Sequence, residues 1–247
     1  MKKKILILGA SSDMGLALID ELNLKNYTIG AHCNKGKKRL TNFFKDKKVT
    51  KDFKIIKKNL NNQKSCKELV NQFIKWSKGI DILVQLTGNV SYVTPWENLK
   101  EKNWNNDIAI NLGSPFFVSQ AIFKYMKKKG GKIVLMSTAS AKHGGGNTTM
   151  AYGVSKAGVE ALTKGIAREG AKYNILVNAI APGLINTRFH KDKLGRNKAE
   201  MKKRANLSKL KRIGSPKEIA KLINLLISES SSYTTGEILT VSGGDWI

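Results

Sequence analysis

The chain is poor in the residues that pin small proteins from outside: its 247 residues hold two cysteines and four prolines. Cys33 and Cys66 make neither a CxxC pair nor a metal-ligand spacing, so no disulfide scaffold and no metal site is expected. Both thiols read as reduced core residues of a cytoplasmic protein. Long hydrophobic runs are missing too. No apolar stretch approaches the roughly 18 residues that a membrane span requires. In the opening MKKKILILGA, the run Ile5 to Leu8 is too short for a secretory signal, and Asp13 soon follows. Neither a membrane role nor a targeting segment is expected. Acidic residues are the third shortage, 18 against 44 Lys and Arg, for a formal net charge of +26. Such an excess raises the question of a nucleic-acid partner, because a basic face releases counterions from a phosphate backbone. Its distribution argues otherwise. Lysines recur at 2 to 4, 35 to 39, 127 to 129 and 202 to 212 with no interleaved stacking aromatics and no recognised binding motif. The expectation is a solvated cationic surface that favours acidic partners.

Apolar residues make up 41% of the chain and recur periodically, enough for one large domain spanning 1–247. Runs with strand character lie at Ile5 to Leu8, Tyr27 to Ala31, Phe53 to Ile56, Ile82 to Leu86, Lys132 to Met136, Ile175 to Ile180 and Ile238 to Val241. Helical period marks 65 to 76, 114 to 126 and 158 to 169 between them. This alternation predicts an α/β fold, a parallel, doubly wound sheet with helices on both faces and right-handed crossovers. In SPKEIAKLINLLI, Ser215, Pro216 and Glu218 form the signature of a helix start with a capping box.

Two stretches carry chemistry. After the first strand, GASSDMGLALI spaces Gly9 and Gly15 to begin and end a strand-to-helix turn whose N–H groups would face a pyrophosphate. Further along, AYGVSKAGVE sets Tyr152 and Lys156 four residues apart, on one helical face. An ammonium beneath a phenol stabilises the phenolate, so the pair reads as a tyrosine tuned downward from its ordinary pKa of about 10, or else as a surface Tyr/Lys pair with the ring on the core.

In their order these motifs resemble the short-chain dehydrogenase/reductase family over essentially the whole chain. The family's TGxxxGxG reads here as Leu8 to Gly15, with the middle glycine replaced by Asp13, a candidate helix cap. Its NNAG becomes Gln85-Leu86-Thr87-Gly88, and its YxxxK is Tyr152 and Lys156. The resemblance implies a Rossmann-type seven-stranded sheet in the order 3-2-1-4-5-6-7. It assigns catalysis to Tyr152 as proton donor, to Lys156, to Thr138 holding the carbonyl oxygen with Ser140 in reserve, and to Asn111 anchoring a water in a proton relay. The family's serine stands thirteen residues before the tyrosine, which here is Ala139; aligning on strand and loop puts Thr138 there, with Ser137 alongside. His143 is expected to be a loop residue. The resemblance also implies cofactor contacts from Gly9, Ser11, Ser12, Met14, Gly15, Asn34, Lys35, Asn59, Leu60, Gly88, Tyr152, Lys156, Pro182, Gly183, Ile185 and Thr187. The ending TGEILTVSGGDWI resembles the family's last strand and subunit-interface tail, which implies a homotetramer or homodimer.

The implied activity is hydride transfer between a nicotinamide and a carbonyl/alcohol pair. In length and plan the chain is most similar to 3-oxoacyl-[acyl-carrier-protein] reductases. That implies a 3-oxoacyl thioester as substrate and an acidic carrier protein as partner, with Lys127, Lys128, Lys129 and Lys172 as docking candidates. Sugar or small-ketone reduction is the alternative among enzymes, set by a basic specificity segment at 188 to 212. A different class, a family member without chemistry that senses nucleotides or binds nucleic acid, would draw on Asp13, Gln85 and the displaced hydroxyl. The second strand ends in His32-Cys33-Asn34, with no carboxylate for a ribose 2′-OH, and Lys35-Gly36-Lys37-Lys38-Arg39 follows. Those cations suit a 2′-phosphate, so NADPH is expected over NADH.

Overall fold

Strand and helix alternate as the period predicts, in a computed structural model that describes residues 2–245. Strands β1 (Lys3–Leu8), β2 (Tyr27–Cys33), β3 (Phe53–Lys57), β4 (Ile82–Gln85), β5 (Gly131–Met136), β6 (Ile175–Pro182) and β7 (Ile238–Val241) form the sheet. All pair in parallel, in the expected order β3-β2-β1-β4-β5-β6-β7. A parallel sheet needs cover on both faces. Helices α1 (Asp13–Glu21), α2 (Lys37–Asp46), α3 (Gln63–Ser77), α4 (Glu101–Ile108), α5 (Ser114–Met126), α6 (Met150–Ala171), α7 (Arg188–Leu194), α8 (Lys198–Ala205) and α9 (Pro216–Ile227) lie between and after the strands.

The two-residue period of β1 shows how the cover is divided. Ile5 and Ile7 join one core with Leu18 and Ile19 of α1, Leu40 and Phe44 of α2 and Ile219 and Ile223 of α9. Leu6 and Leu8 point the other way, into a core with Leu69 and Phe73 of α3, Ile122 of α5 and Val159 of α6. Cys33 and Cys66 are free and buried, one in each core. The Ser215 capping box forms as the sequence predicts. At α1 the cap is Ser12, whose Oγ accepts from the Gly15 N–H, rather than Asp13; the carboxylate of Asp13 is drawn elsewhere. Trp246 and Ile247, the end of the expected interface tail, lie outside the described residues. Among the described residues no helix is long and apolar enough to cross a membrane.

Strand ends run further than the apolar runs suggest where pairing continues. β2 reaches Cys33 because His32 and Cys33 pair with Ile56 and Lys57, and β6 reaches Pro182 by pairing with Val241. The order reverses between β1 and β4, and a crevice opens there at the carboxyl ends of the strands. Its floor depends on close approach. Gly9 has φ +75°, and a Cβ on Gly15 would stand 2.5 Å from the Ala10 carbonyl oxygen. His32 ties three strands together beneath that turn: its Nδ1 accepts from the Gly9 N–H at 3.2 Å, and its Nε2 meets the Lys58 carbonyl at 2.9 Å. This pattern belongs to the neutral ring, and burial pushes its pKa down to about 4.

The unfolded chain protonates His32 near pH 6.5 and the folded chain near 4, so stability is lost as pH falls through that window, by about 3 kcal/mol if the shift is fully expressed. Urea unfolding at pH 7 and pH 4.5 should show this loss, and His32→Gln should flatten the acid limb. An unchanged acid limb in the variant would rule out this role.

Candidate active site

A cavity of about 330 Å³ occupies the crevice. Of the residues expected to meet a cofactor or substrate, Ser12, Met14, Gly88, Pro182, Gly183, Ile185 and Thr187 line it together with Thr138, Ser140, Tyr152 and Lys156. Others stand outside it. Gly9 and Gly15 shape the turn, and Ser11 sits against Gly36, at the start of α2. Asn34 and Lys35 are exposed beyond the end of β2, and Asn59 faces Asn34 across 3.5 Å. The Leu60 side chain is buried in the core, leaving only its backbone for a ligand.

Tyr152 and Lys156 both fall within α6, which begins well before the stretch that showed helical period. Lys156 is 1% exposed, and its Nζ donates to the Met136 carbonyl at 2.8 Å and lies 3.4 Å from that of Thr87. The same Nζ stands 5.7 Å from the centre of the Tyr152 ring. The pairing on one face is therefore as expected, but the direction of the tyrosine's shift is not. Burial pushes the Tyr152 phenol up to about 12 and the Lys156 ammonium down to about 7. Removing a phenolate from water costs more than a cation at this distance returns, and that cation is itself desolvated and shared between two carbonyls. The result is a neutral phenol beside an amine that is about half protonated near pH 7.

Thr138 Oγ1 lies 3.2 Å from Ser140 Oγ and both side chains face the cavity, so the two hydroxyls form one donor pair. Ala139 is buried beside them and offers no hydroxyl. Ser137 is committed elsewhere: its hydroxyl engages the Lys156 carbonyl at 3.1 Å and Glu160 at 2.7 Å, fastening α6 to the end of β5. His143 lines the cavity, with its Nδ1 2.8 Å from the Gly145 carbonyl.

Asn111 is fully buried in a π-helical turn, Ala109–Gly113, between α4 and α5. Its amide clamps the backbone of Asn89 from both sides, accepting from the N–H and donating to the carbonyl, each at 2.8 Å. Asn111 thereby fixes the loop after β4, and each end of its amide keeps one further hydrogen-bonding position for the expected hold on a water. A Cβ on Gly88 would stand 3.7 Å from Asn111 Oδ1 and 3.8 Å from the Tyr152 ring, so this loop is the wall between them. Asp107, one turn before Asn111, holds the same loop through the Ser91 N–H at 2.8 Å and hydroxyl at 2.6 Å. Burial raises the Asp107 carboxyl's pKa, while these bonds oppose the rise. Sequence reading missed Asp107, Asn89 and Ser91. The four-residue spacing of Asp107 and Asn111 was the available signal.

The departure at Asp13 resolves into a tie. Its carboxylate accepts from Arg39 at 2.6 Å and from the Arg188 N–H at 2.6 Å, and Arg188 Nε stands 3.4 Å away. Burial would raise its pKa, but these two arginines outweigh that and hold it below the usual carboxylate range. A dinucleotide fits this turn. The N–H groups of Asp13 and Met14 make no hydrogen bond among the described residues, both residues line the cavity, and the nearby carboxylate is neutralised by two cations. Arg39 is spent on Asp13 and on the Ser11 carbonyl at 2.8 Å, which leaves Lys35, Lys37 and Lys38 as the exposed cations of this stretch, Lys35 directly beside Asn34. Lys127, Lys128, Lys129 and Lys172 are not brought here. They precede β5 and β6 at the amino ends of the strands, about 15–20 Å of strand length from the cavity. Lys129 pairs with Asp81, and Lys127 and Lys172 lie over the Tyr173 ring.

Known proteins match the chain over most of its length. A family model described as enoyl-(acyl carrier protein) reductase matches residues 9–245. The chain is 30% identical to a probable 2,4-dienoyl-CoA reductase of Bacillus subtilis, covering 100% of this chain and 97% of that one. It is 36% identical to a 3-oxoacyl-[acyl-carrier-protein] reductase of Thermotoga maritima over 75% of this chain and 74% of that one. A short-chain dehydrogenase/reductase from Serratia marcescens superposes with a TM-score of 0.89 at 24% identity, over 99% of this chain and 98% of that one, a likeness of fold.

Asp13→Asn should free Arg188 and loosen the start of α7. Tryptic cleavage after Arg188, Lys191 and Lys193 should accelerate severalfold, with a stability loss of about 1–3 kcal/mol from the broken charged hydrogen bonds. Peptide mapping over a digestion time course checks this, and cleavage at the wild-type rate would mean that Asp13 does not hold the segment.

Proposed function

The chain belongs to the short-chain dehydrogenase/reductase family of oxidoreductases, and from that premise we propose that it acts as one dinucleotide-binding domain. It reversibly reduces a carbonyl to a secondary alcohol with NADPH, and the substrate is an acyl thioester or another small ketone. The observation that carries this reading is the neighbouring pair Tyr152 and Lys156 on the wall of a cavity at the carboxyl ends of the strands. A bound reduced nicotinamide supplies the hydride. The N–H groups at the start of α1, the backbone around Pro182 and Gly183, and Thr187 would hold the cofactor. Tyr152, neutral over the whole working range, donates its proton to the substrate oxygen. Thr138, with Ser140 behind it, donates a hydrogen bond that orients the same oxygen. Lys156, while protonated, offsets the charge left on the phenol. Asn111 keeps the Gly88–Asn89 wall in place behind the tyrosine.

The thioester reading is supported by relatives that are reductases of acyl-carrier-protein or CoA derivatives. Asn34 in place of a carboxylate, with exposed Lys35 beside it, supports NADPH. Exposed Trp104, Phe116 and Val154 on α4, α5 and α6 support a homo-oligomer.

Tyr152→Phe should retain NADPH binding, measured by fluorescence titration, and lose at least about 100-fold in kcat on acetoacetyl thioesters. A near-normal rate would sink the assignment. In the wild type, reduction should weaken as pH rises through about 7, because Lys156 then loses the proton whose charge helps the phenol ionise. A kcat/KM profile flat from pH 6 to 8.5 counts against that role. Lys35→Ala should lower kcat/KM with NADPH about fivefold, roughly 1 kcal/mol, and leave NADH nearly untouched. Equal effects on both cofactors would show that Lys35 does not read the 2′-phosphate.

A further inference from the structure

The substrate side of the cavity is built by the segment from Arg188 to Ala205, and its charges are unevenly matched. Arg188 is held by Asp13, and Lys193 donates to the Asn89 side chain at 2.7 Å. Arg196 and Arg204 also line the cavity, yet among the described residues neither has a carboxylate within ion-pair distance. Asp192 and Asp245 line the same cavity without pairing with either arginine, and Glu200, whose charge acts on Arg196, has its Oε2 turned to the Asn197 N–H at 2.8 Å to cap α8. Arg196 is instead fixed by an uncharged partner: its guanidinium donates to His190 Nδ1 at 2.9 Å. Burial and the two neighbouring arginines push His190 down to about 4, so the ring is neutral at working pH and stays an acceptor.

A half-buried guanidinium held in position by a neutral ring keeps its full charge and most of its donors for something else. A second arginine brought beside it raises the cost of leaving that charge unanswered. Burial and the Arg204 charge depress Arg196 to about 10, the direction expected for a cation crowded by another. The position is also set relative to the chemistry. The Tyr152 ring lies 5.8 Å from that of Phe189, tilted by 39°, Phe189 meets His190 at 6.2 Å, and His190 holds Arg196. Two rings therefore separate the proton donor from the cations, with Leu184 and Leu194 adding apolar lining to the same cavity.

We propose that Arg196 and Arg204 form an anion subsite, and that the carbonyl substrate carries a phosphate or carboxylate that docks there while its carbonyl reaches Tyr152. The subsite takes an oxyanion separated from the reacting carbonyl by a short apolar or neutral spacer. Two sources carry that chemistry: the phosphate groups of a CoA-type thioester carrier, or the anionic end of a small keto acid or keto phosphate. The proposal rests on the carbonyl-reduction reading only for which end of the substrate reacts.

Matched pairs that differ in the anion separate the possibilities: acetoacetyl-CoA against acetoacetyl-N-acetylcysteamine, levulinate against its methyl ester, and dihydroxyacetone phosphate against dihydroxyacetone. For each pair the quantity read is the ratio of kcat/KM, anionic over neutral, in wild type, Arg196→Gln, Arg204→Gln and the double variant. Lys221→Gln, on the exposed side of α9, removes the same charge away from the cavity. In at least one pair the double variant should lower the ratio tenfold or more, with Lys221→Gln leaving it in place. A response from the CoA pair identifies carrier phosphate, and one from the other pairs a small anionic ketone. Unchanged ratios in every pair, or an equal shift in Lys221→Gln, overturn the proposal. Calorimetric binding of the same pairs to the NADP⁺-loaded protein gives the comparison without turnover. A protein that turns over none of the pairs would count against carbonyl reduction, while the binding ratios would still decide the subsite.

Discussion

An ammonium group withdrawn from water needs acceptors, and the walls of the cavity are assembled around the two that Lys156 has. Its Nζ reaches the last carbonyl of β5 and the Thr87 carbonyl just beyond β4, so a single side chain binds α6 to two neighbouring strands at the depth where chemistry takes place. Ser137 fastens the same helix from the strand side through the Lys156 carbonyl and Glu160. Once α6 is seated, the position of Tyr152 follows from helical spacing, and the Gly88–Asn89 loop must pass between it and Asn111. The low dielectric that makes these bonds firm also sets the chemistry, keeping the phenol protonated and the amine close to losing its proton.

Acids are scarce here, and several of the few present sit where the backbone needs them. Asp81 receives the Lys4 N–H at 2.7 Å and pairs with Lys129 at the amino edge of the sheet. Asp107 braces the loop after β4, Glu218 closes the cap of α9, and Asp13 joins the glycine turn to α7. Much of the positive charge elsewhere is left to solvent. Against that background the feature that singles out the cavity wall is that half-buried Arg196 and exposed Arg204 line it with no acid at ion-pair distance, whereas the clusters near 127 to 129 and 172 rest on aromatic rings or on Asp81.

The frame of the molecule was legible because its signals are local. Apolar runs located all seven strands, and Tyr152 with Lys156 could be read from a four-residue spacing. The order of the strands came from the family resemblance, and what escaped were relations between distant parts of the chain. Asp13 meets Arg188 across 175 residues, and Lys193 meets Asn89 across 104, so neither partner can be inferred from composition or period. The direction of the Tyr152 shift failed for the same reason: the spacing shows the neighbouring cation, while the burial that outweighs it is a property of the assembled fold. Asp13 was read as a cap from its place in the turn, but the adjacent Ser12 has the shorter side chain and the capping geometry, which left the carboxylate to the arginines.

The π turn at Ala109–Gly113 bears on how such a site tolerates change in length. A π turn holds one residue more than an α-helical turn, so the helix accommodates an extra residue without breaking. Removing one residue there would restore ordinary α-helical winding and swing α4 by roughly a quarter turn relative to α5. Both helices could persist, yet Asp107 and Asn111 would no longer address the same loop. The residue count between α4 and α5 therefore constrains the site more tightly than the side chains these helices expose do.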